Sequence, residues 1–138
     1  MARDAVWAVI TGMYDAYARD DRQGIDRLLH PEATIWDSAE PGLITNRRQL
    51  DRVRDARPSD GPAETSVRAF DEIVDVWGDT ALARYLLQVD FEHGDPELVR
   101  TTSVLRLVDG EWKIVHVHEN TLSSCTRTHT DDVREDTP

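Results

Sequence analysis

The chain has 138 residues and a formal net charge of −11, a length that suits one domain with a real core and a charge that argues against a nucleic-acid backbone or an anionic membrane surface as partner. No apolar run nears the ~18 residues of a membrane span, and Met1-Ala2-Arg3-Asp4 leads into a mixed helix, not a signal peptide. The single Cys125 excludes an intrachain disulfide and a cysteine-based zinc site, and a cytoplasmic protein is expected.

Asp4 to Arg19 reads as a helix, because Val6, Trp7, Ile10, Met13, Tyr14 and Tyr17 recur at helical spacing along one stripe. Asp4 is its expected N-cap. A short second helix carries Ile25, Leu28 and Leu29, and Pro31 is expected to end it. Ala33-Thr34-Ile35-Trp36-Asp37 reads as a short strand, followed by a loop at Ser38 to Gly42. Thr45 is the expected cap of a third helix bearing Leu50 and Val53, stopped by Pro58. Arg47, Arg48, Arg52 and Arg54 read as one solvated face of that helix.

After a turn at Ser59 to Pro62 the chain turns to strands. Thr65 to Trp77 alternates, but its apolar parity slips between Phe70 and Ile73, which predicts a bulge. Ala81 to Phe91 alternates cleanly. Val99 to Leu107 and Trp112 to Glu119 flank Asp109-Gly110, a strong hairpin signal. Neither face of this hairpin is wholly polar, so it is expected mid-sheet, covered on one side by the helices and on the other by a second subunit. Helices followed by long strands without βαβ alternation indicate an α+β fold with a mostly antiparallel sheet. Residues 123–138 carry no large apolar side chain beyond Val133 and read as a disordered acidic tail.

This order of elements resembles the nuclear transport factor 2-like superfamily, a cone-shaped fold with three N-terminal helices on a curved sheet. Asp109-Gly110-Glu111-Trp112-Lys113-Ile114-Val115-His116-Val117-His118 resembles the closing hairpin of SnoaL-like proteins and of the calcium/calmodulin-dependent kinase II association domain. Ala33-Thr34-Ile35-Trp36-Asp37 resembles the first strand of ketosteroid isomerase. The likeness covers residues 4 to 122, within a domain placed at 1–122. It implies an isomerase, polyketide cyclase, dehydratase or assembly domain, working without a cofactor. It places Asp37 at the isomerase's catalytic aspartate, while the two carbonyl-donor positions fall on Met13 and Ser103. The base is kept and both donors are changed, so steroid isomerisation is not expected. The arginines of the kinase domain's pocket fall on Leu87, Ser103 and Glu119, so an arginine-clustered ligand is not expected either.

The resemblance turns the odd-numbered face of the last three strands inward. That face is a largely apolar wall of Tyr85, Leu87, Val89, Leu105, Val115 and Val117, with Thr101, Ser103 and Glu119 among them. An apolar cavity with a few convergent polar groups is the usual form of a small-molecule site. Asp37 is the expected general base, with Tyr17, Ser103 and Glu119 as donors or a second acid. Met13, Tyr14, Ile35, Tyr85, Leu87, Thr101, Val115 and Val117 are the expected substrate-binding residues, suited to a small apolar or aromatic organic ligand. The opposing expectation is that Asp37 caps the following loop and Glu119 faces solvent.

His116 and His118 share a strand face ~7 Å apart, and His93 or His129 could add a third ligand. No carboxylate is fixed nearby, so buried structural histidines are expected in place of a metal site. Trp112 shares their face and reads as core or interface packing. The readings carried forward are a proton-transfer enzyme and a ligand-binding or dimerisation module, a homodimer through the outward sheet face in either case.

Overall fold

The computed structural model describes residues 1–57 and 64–122. The expected turn at 59–62 and the expected tail lie outside these residues.

Helix α1 spans Ala2–Ala18 and buries Val6, Ile10, Met13 and Tyr14 of the predicted stripe, while Trp7 is half-buried and Tyr17 is exposed at its end. It starts earlier than expected. Met1 stands at the N-cap without a side-chain cap bond. Asp4 lies within the first turn, its carboxylate 3.5 Å from the chain's amino group, where a negative charge suits the helix dipole. Helix α2 spans Arg22–Leu28 and is capped by Asp21, whose carboxylate accepts from the Gly24 N–H at 3.0 Å.

Pro31 does not end α2. Strand β1 already begins at Leu29 and runs to Trp36. It is an edge strand whose register shifts between Leu29 and Thr34, and an edge irregularity is where a strand tolerates proline. Helix α3 spans Arg47–Ala56 and its N-cap is Asn46, not Thr45. Asn46 Oδ1 accepts from the Gln49 N–H at 2.9 Å, while Thr45 N–H and Oγ1–H both donate to Gln49 Oε1 at 2.7 Å. The cap thus falls one residue later, and Thr45 holds the Gln49 side chain back over the helix start.

Strands β2 (Glu64–Trp77), β3 (Thr80–Phe91), β4 (Glu97–Val108) and β5 (Glu111–Leu122) complete a five-stranded sheet of order β1-β5-β4-β3-β2. The pairs are antiparallel except β1 with β5, which is parallel. The predicted bulge in β2 is present: register shifts between Phe70 and Ile73, with Asp71 at φ 57°. It converts an odd-inward run (Val67, Ala69) into an even-inward one (Val74, Val76). At the β4–β5 turn both Asp109 (φ 52°) and Gly110 (φ 81°) are left-handed, as a two-residue hairpin turn requires.

A second shift was not visible in the alternation. Leu105 pairs with Ile114, but Val104 pairs with His116, so Val115 is the extra residue of a bulge. Ile114, fully buried, takes the inward place expected of Val115. The same shift separates Trp112 from the histidines: it pairs with Leu107 and packs against the core, while His116 pairs outward beside Val104.

Helix α1 lies on β2, β5 and α2. Val6, Ile10, Ala81, Ala83, Leu105 and Ile114 form a solid core with no exposed surface. Burying each of the larger ones contributes about 1.5–3 kcal/mol. Towards the C-terminal ends of α1 and β1 that core opens into a cavity.

Candidate active-site cavity

The cavity has a volume of about 370 Å³. Its wall is mostly aliphatic, with Ile35, Leu87, Val89, Val99 and Val117 from the strands and Met13, Ile25 and Leu50 from the helices. Tyr14, Tyr17, Asp37, Glu119, Arg57 and Glu64 supply polar groups to the lining.

Two acids meet there because of strand pairing. Parallel β1 and β5 place Trp36 beside His118, so Asp37, just past the end of β1, comes beside Glu119 within β5. Burial pushes Glu119 up from 4.5 to about 7. The hydrogen bond to Asp37 and the charge of Asp37 push the same way, against the Ser38 backbone N–H and Arg57. The Asp37 side chain is only 14% exposed, and its Oδ2 accepts from Arg57 Nη2. Asp37 is therefore neither a simple loop cap nor a solvent-facing acid, and Glu119 does not face bulk water.

Tyr14, buried on α1, bonds its hydroxyl to that of Tyr85 at 3.0 Å, and Tyr85 bonds to Ser103 Oγ at 2.8 Å. Burial raises Tyr14 well above its ordinary value and pushes Tyr85 up to about 12, so both phenols stay protonated. Tyr17 donates to Glu64 Oε1 at 2.7 Å. Burial and that hydrogen bond raise its phenol too.

Of the residues singled out from sequence, Asp37, Glu119, Tyr17, Met13, Tyr14, Ile35, Leu87 and Val117 line one cavity. Tyr85, Thr101 and Ser103 are buried outside its lining, and Ser103 reaches it only through Tyr85 and Tyr14. Val115 is absent from the lining, displaced by the β5 bulge.

The α3 arginines are not one solvated face. Arg54 is 14% exposed, lines the cavity and pairs with Asp26 at 3.0 Å and Asp51 at 3.1 Å. Arg47 Nη2 donates to the carbonyls of Asp26 and Leu29 at the end of α2. Arg57 and Glu64 were missed; Arg57 sits one residue before Pro58, where a helix end could have flagged a side chain turned across the loop.

His116 Nδ1 is 2.7 Å from Thr34 Oγ1, and the His118 ring lies against Trp36, centroids 6.4 Å apart. His93 is exposed in its turn, and His129 lies outside the described residues. No helix among the described residues is long and apolar enough to cross a membrane.

The profile of the SnoaL-like domain matches residues 6–122. The chain belongs to the SnoaL-like domain family. Solved structures agree on the NTF2-like fold of this SnoaL-like chain. An NTF2-like protein of unknown function from Pseudomonas putida KT2440 superposes with a TM-score of 0.73 at 17% identity, covering 86% of this chain and 85% of that one. The S. rosetta CaMKII hub gives 0.75 at 22% identity, covering 87% and 96%. A candidate ketosteroid isomerase from Shewanella frigidimarina NCIMB 400 gives 0.68 at 18% identity, covering 84% and 94%. No curated protein matches the SnoaL-like chain in sequence.

Proposed function

We propose that the cavity takes up a small, largely apolar organic molecule and that the Asp37–Glu119 pair transfers a proton to or from it, as an isomerase, cyclase or dehydratase would. The observation that carries this reading is a carboxyl raised to about 7 beside a second carboxyl, inside an aliphatic cavity. Such a pair can hold one proton between two acids, and a group titrating near neutrality serves as base or acid at little cost. The chain from Ser103 through Tyr85 can direct the Tyr14 O–H into the cavity, where it would steady developing negative charge on a ligand oxygen. Tyr17, bound to Glu64, lines the same cavity.

The test needs no knowledge of the natural substrate. Aryl and cyclic ketones in D₂O exchange the hydrogens beside their carbonyl when a base removes them. The wild-type protein is expected to speed that exchange, Glu119→Gln to abolish the acceleration and Asp37→Asn to weaken it, both keeping the fold. Equal exchange by wild type and both variants would remove the catalytic reading.

A second reading rests on a different observation. Trp36 (42% exposed), Ile73 (61%) and Trp77 (60%) stand on the outward side of the sheet. Exposed apolar surface of this kind marks interaction sites, and one structural neighbour is a CaMKII hub. Self-association through this face, as a homodimer, is compatible with catalysis and is sufficient without it.

A further inference from the structure

We propose that Arg57 is the positioning residue that decides which carboxyl of the pair exchanges a proton with the ligand. By pinning Asp37, it leaves Glu119 as the exchanging group. This rests on the proton-transfer reading above for its consequence, but not for its test.

The two acids differ in surroundings. Arg57 is the C-cap of α3, in extended conformation, and its guanidinium reaches back to Asp37 Oδ2, with Glu40 at 4.0 Å. Arg57 is 44% exposed and Asp37 14%, so the pair joins a half-exposed cation to a largely buried carboxylate. Arg54 lines the same cavity but is held by Asp26 and Asp51, which leaves the carboxyl pair to Arg57. An oxygen held by a guanidinium is a poor base, because taking a proton there means giving up a charge-assisted bond.

Glu119 has no such clamp. The groups near it are Tyr14 and Tyr17 from α1, Asp37 and the Ser38 N–H after β1, Arg57 from α3, Tyr85 from β3 and Thr101 opposite it on β4. Glu64 of β2 is tied to Tyr17. Arg57 is the cation of that set, and it binds the neighbour, not Glu119 itself. The reaction then runs through one group. The Glu119 carboxylate takes a proton from a ligand C–H, the bond pair stays on the ligand, and Glu119–H returns the proton to another ligand atom.

Side-chain carboxyl ¹³C titration of wild type, Arg57→Gln and Arg57→Lys reads this without a substrate. Two interacting acids titrate as a pair, and the carbon that moves shows where the proton sits. In wild type the Glu119 carboxyl carbon is expected to carry the step near neutrality, with Asp37 moving only as a neighbour. In Arg57→Gln the step spreads over both carbons and moves to higher pH, and Arg57→Lys restores the one-sided pattern. A wild-type step already shared equally, or an Arg57→Gln titration unchanged from wild type, would overturn the proposal. If the ketone exchange test fails while this pattern holds, the assignment stands as the electrostatics of a binding site.

Discussion

Glu119 lies beside Asp37 because β1 runs parallel to β5, and burial of Glu119, with the hydrogen bond to Asp37 and its charge, raises Glu119 to about 7. The neighbouring register, Trp36 against His118, fixes this adjacency between two strands far apart in the chain.

Such an acid weakens the fold as pH rises. Its unfolded value is near 4.5 and its folded value about 7, so between them the native state binds a proton the unfolded chain does not. Stability linked to Glu119 is therefore full below the lower value and lost as pH rises through the higher one. Glu119→Gln removes this dependence. Relative to wild type, the variant is expected to gain about 2 kcal/mol between about pH 5 and about pH 8. Urea unfolding of both proteins at the two pH values measures it.

The buried hydroxyl chain makes a prediction of its own. Tyr85→Phe strips Ser103, with 0% exposure, of its hydrogen-bond partner and also frees the Tyr14 hydroxyl. The expected loss is about 1–3 kcal/mol. Adding Ser103→Ala should cost less in that background than in wild type, since Ser103 has already lost its partner there. A double-mutant cycle by thermal or urea unfolding reads the coupling.

Much of the fold was legible because it is local. The α1 stripe, the β2 parity slip and the Asp109-Gly110 turn are set by neighbours in sequence, and all three stand where the residues put them. What was not legible depended on pairing between distant segments. The Val115 bulge leaves a plausible alternation on both sides, and only the β4 partner shows that Ile114 and Val117 are the inward pair. Asp37 and Glu119 could be named from sequence, but not their contact, which needs the parallel β1–β5 register. The pairing of Arg57 gave no signal in the sequence because its partner, Asp37, lies twenty residues earlier, just past the end of β1.

The bulge separates two adjacent residues energetically. Ile114→Ala opens a hole in the solid core and should cost about 2–5 kcal/mol. Val115→Ala, at a half-buried bulge position, should cost under about 1 kcal/mol. Matched urea titrations would show the gap. A regular ladder, with Val115 inward, predicts the reverse order.

The outward sheet face gives a prediction for assembly. Ile73 and Trp36 stand at opposite ends of one cross-sheet row, Trp36–His118–Thr102–Arg84–Ile73. If copies pair through it, Ile73→Glu replaces an apolar contact with a charged group in the interface. Sedimentation velocity should then show a dimer for wild type and a shift towards monomer for the variant, with the circular dichroism spectrum retained.

Proton transfer by Glu119 is read most directly in the pH profile of kcat/KM for ketone hydrogen exchange. Such a profile reports the ionisation of the free protein's essential groups. Activity is expected to climb through about pH 7 as Glu119 gives up its proton, then level off, and this inflection should vanish in Glu119→Gln. A flat profile across neutrality, or an inflection that survives Glu119→Gln, would rule out Glu119 as the proton-transferring group.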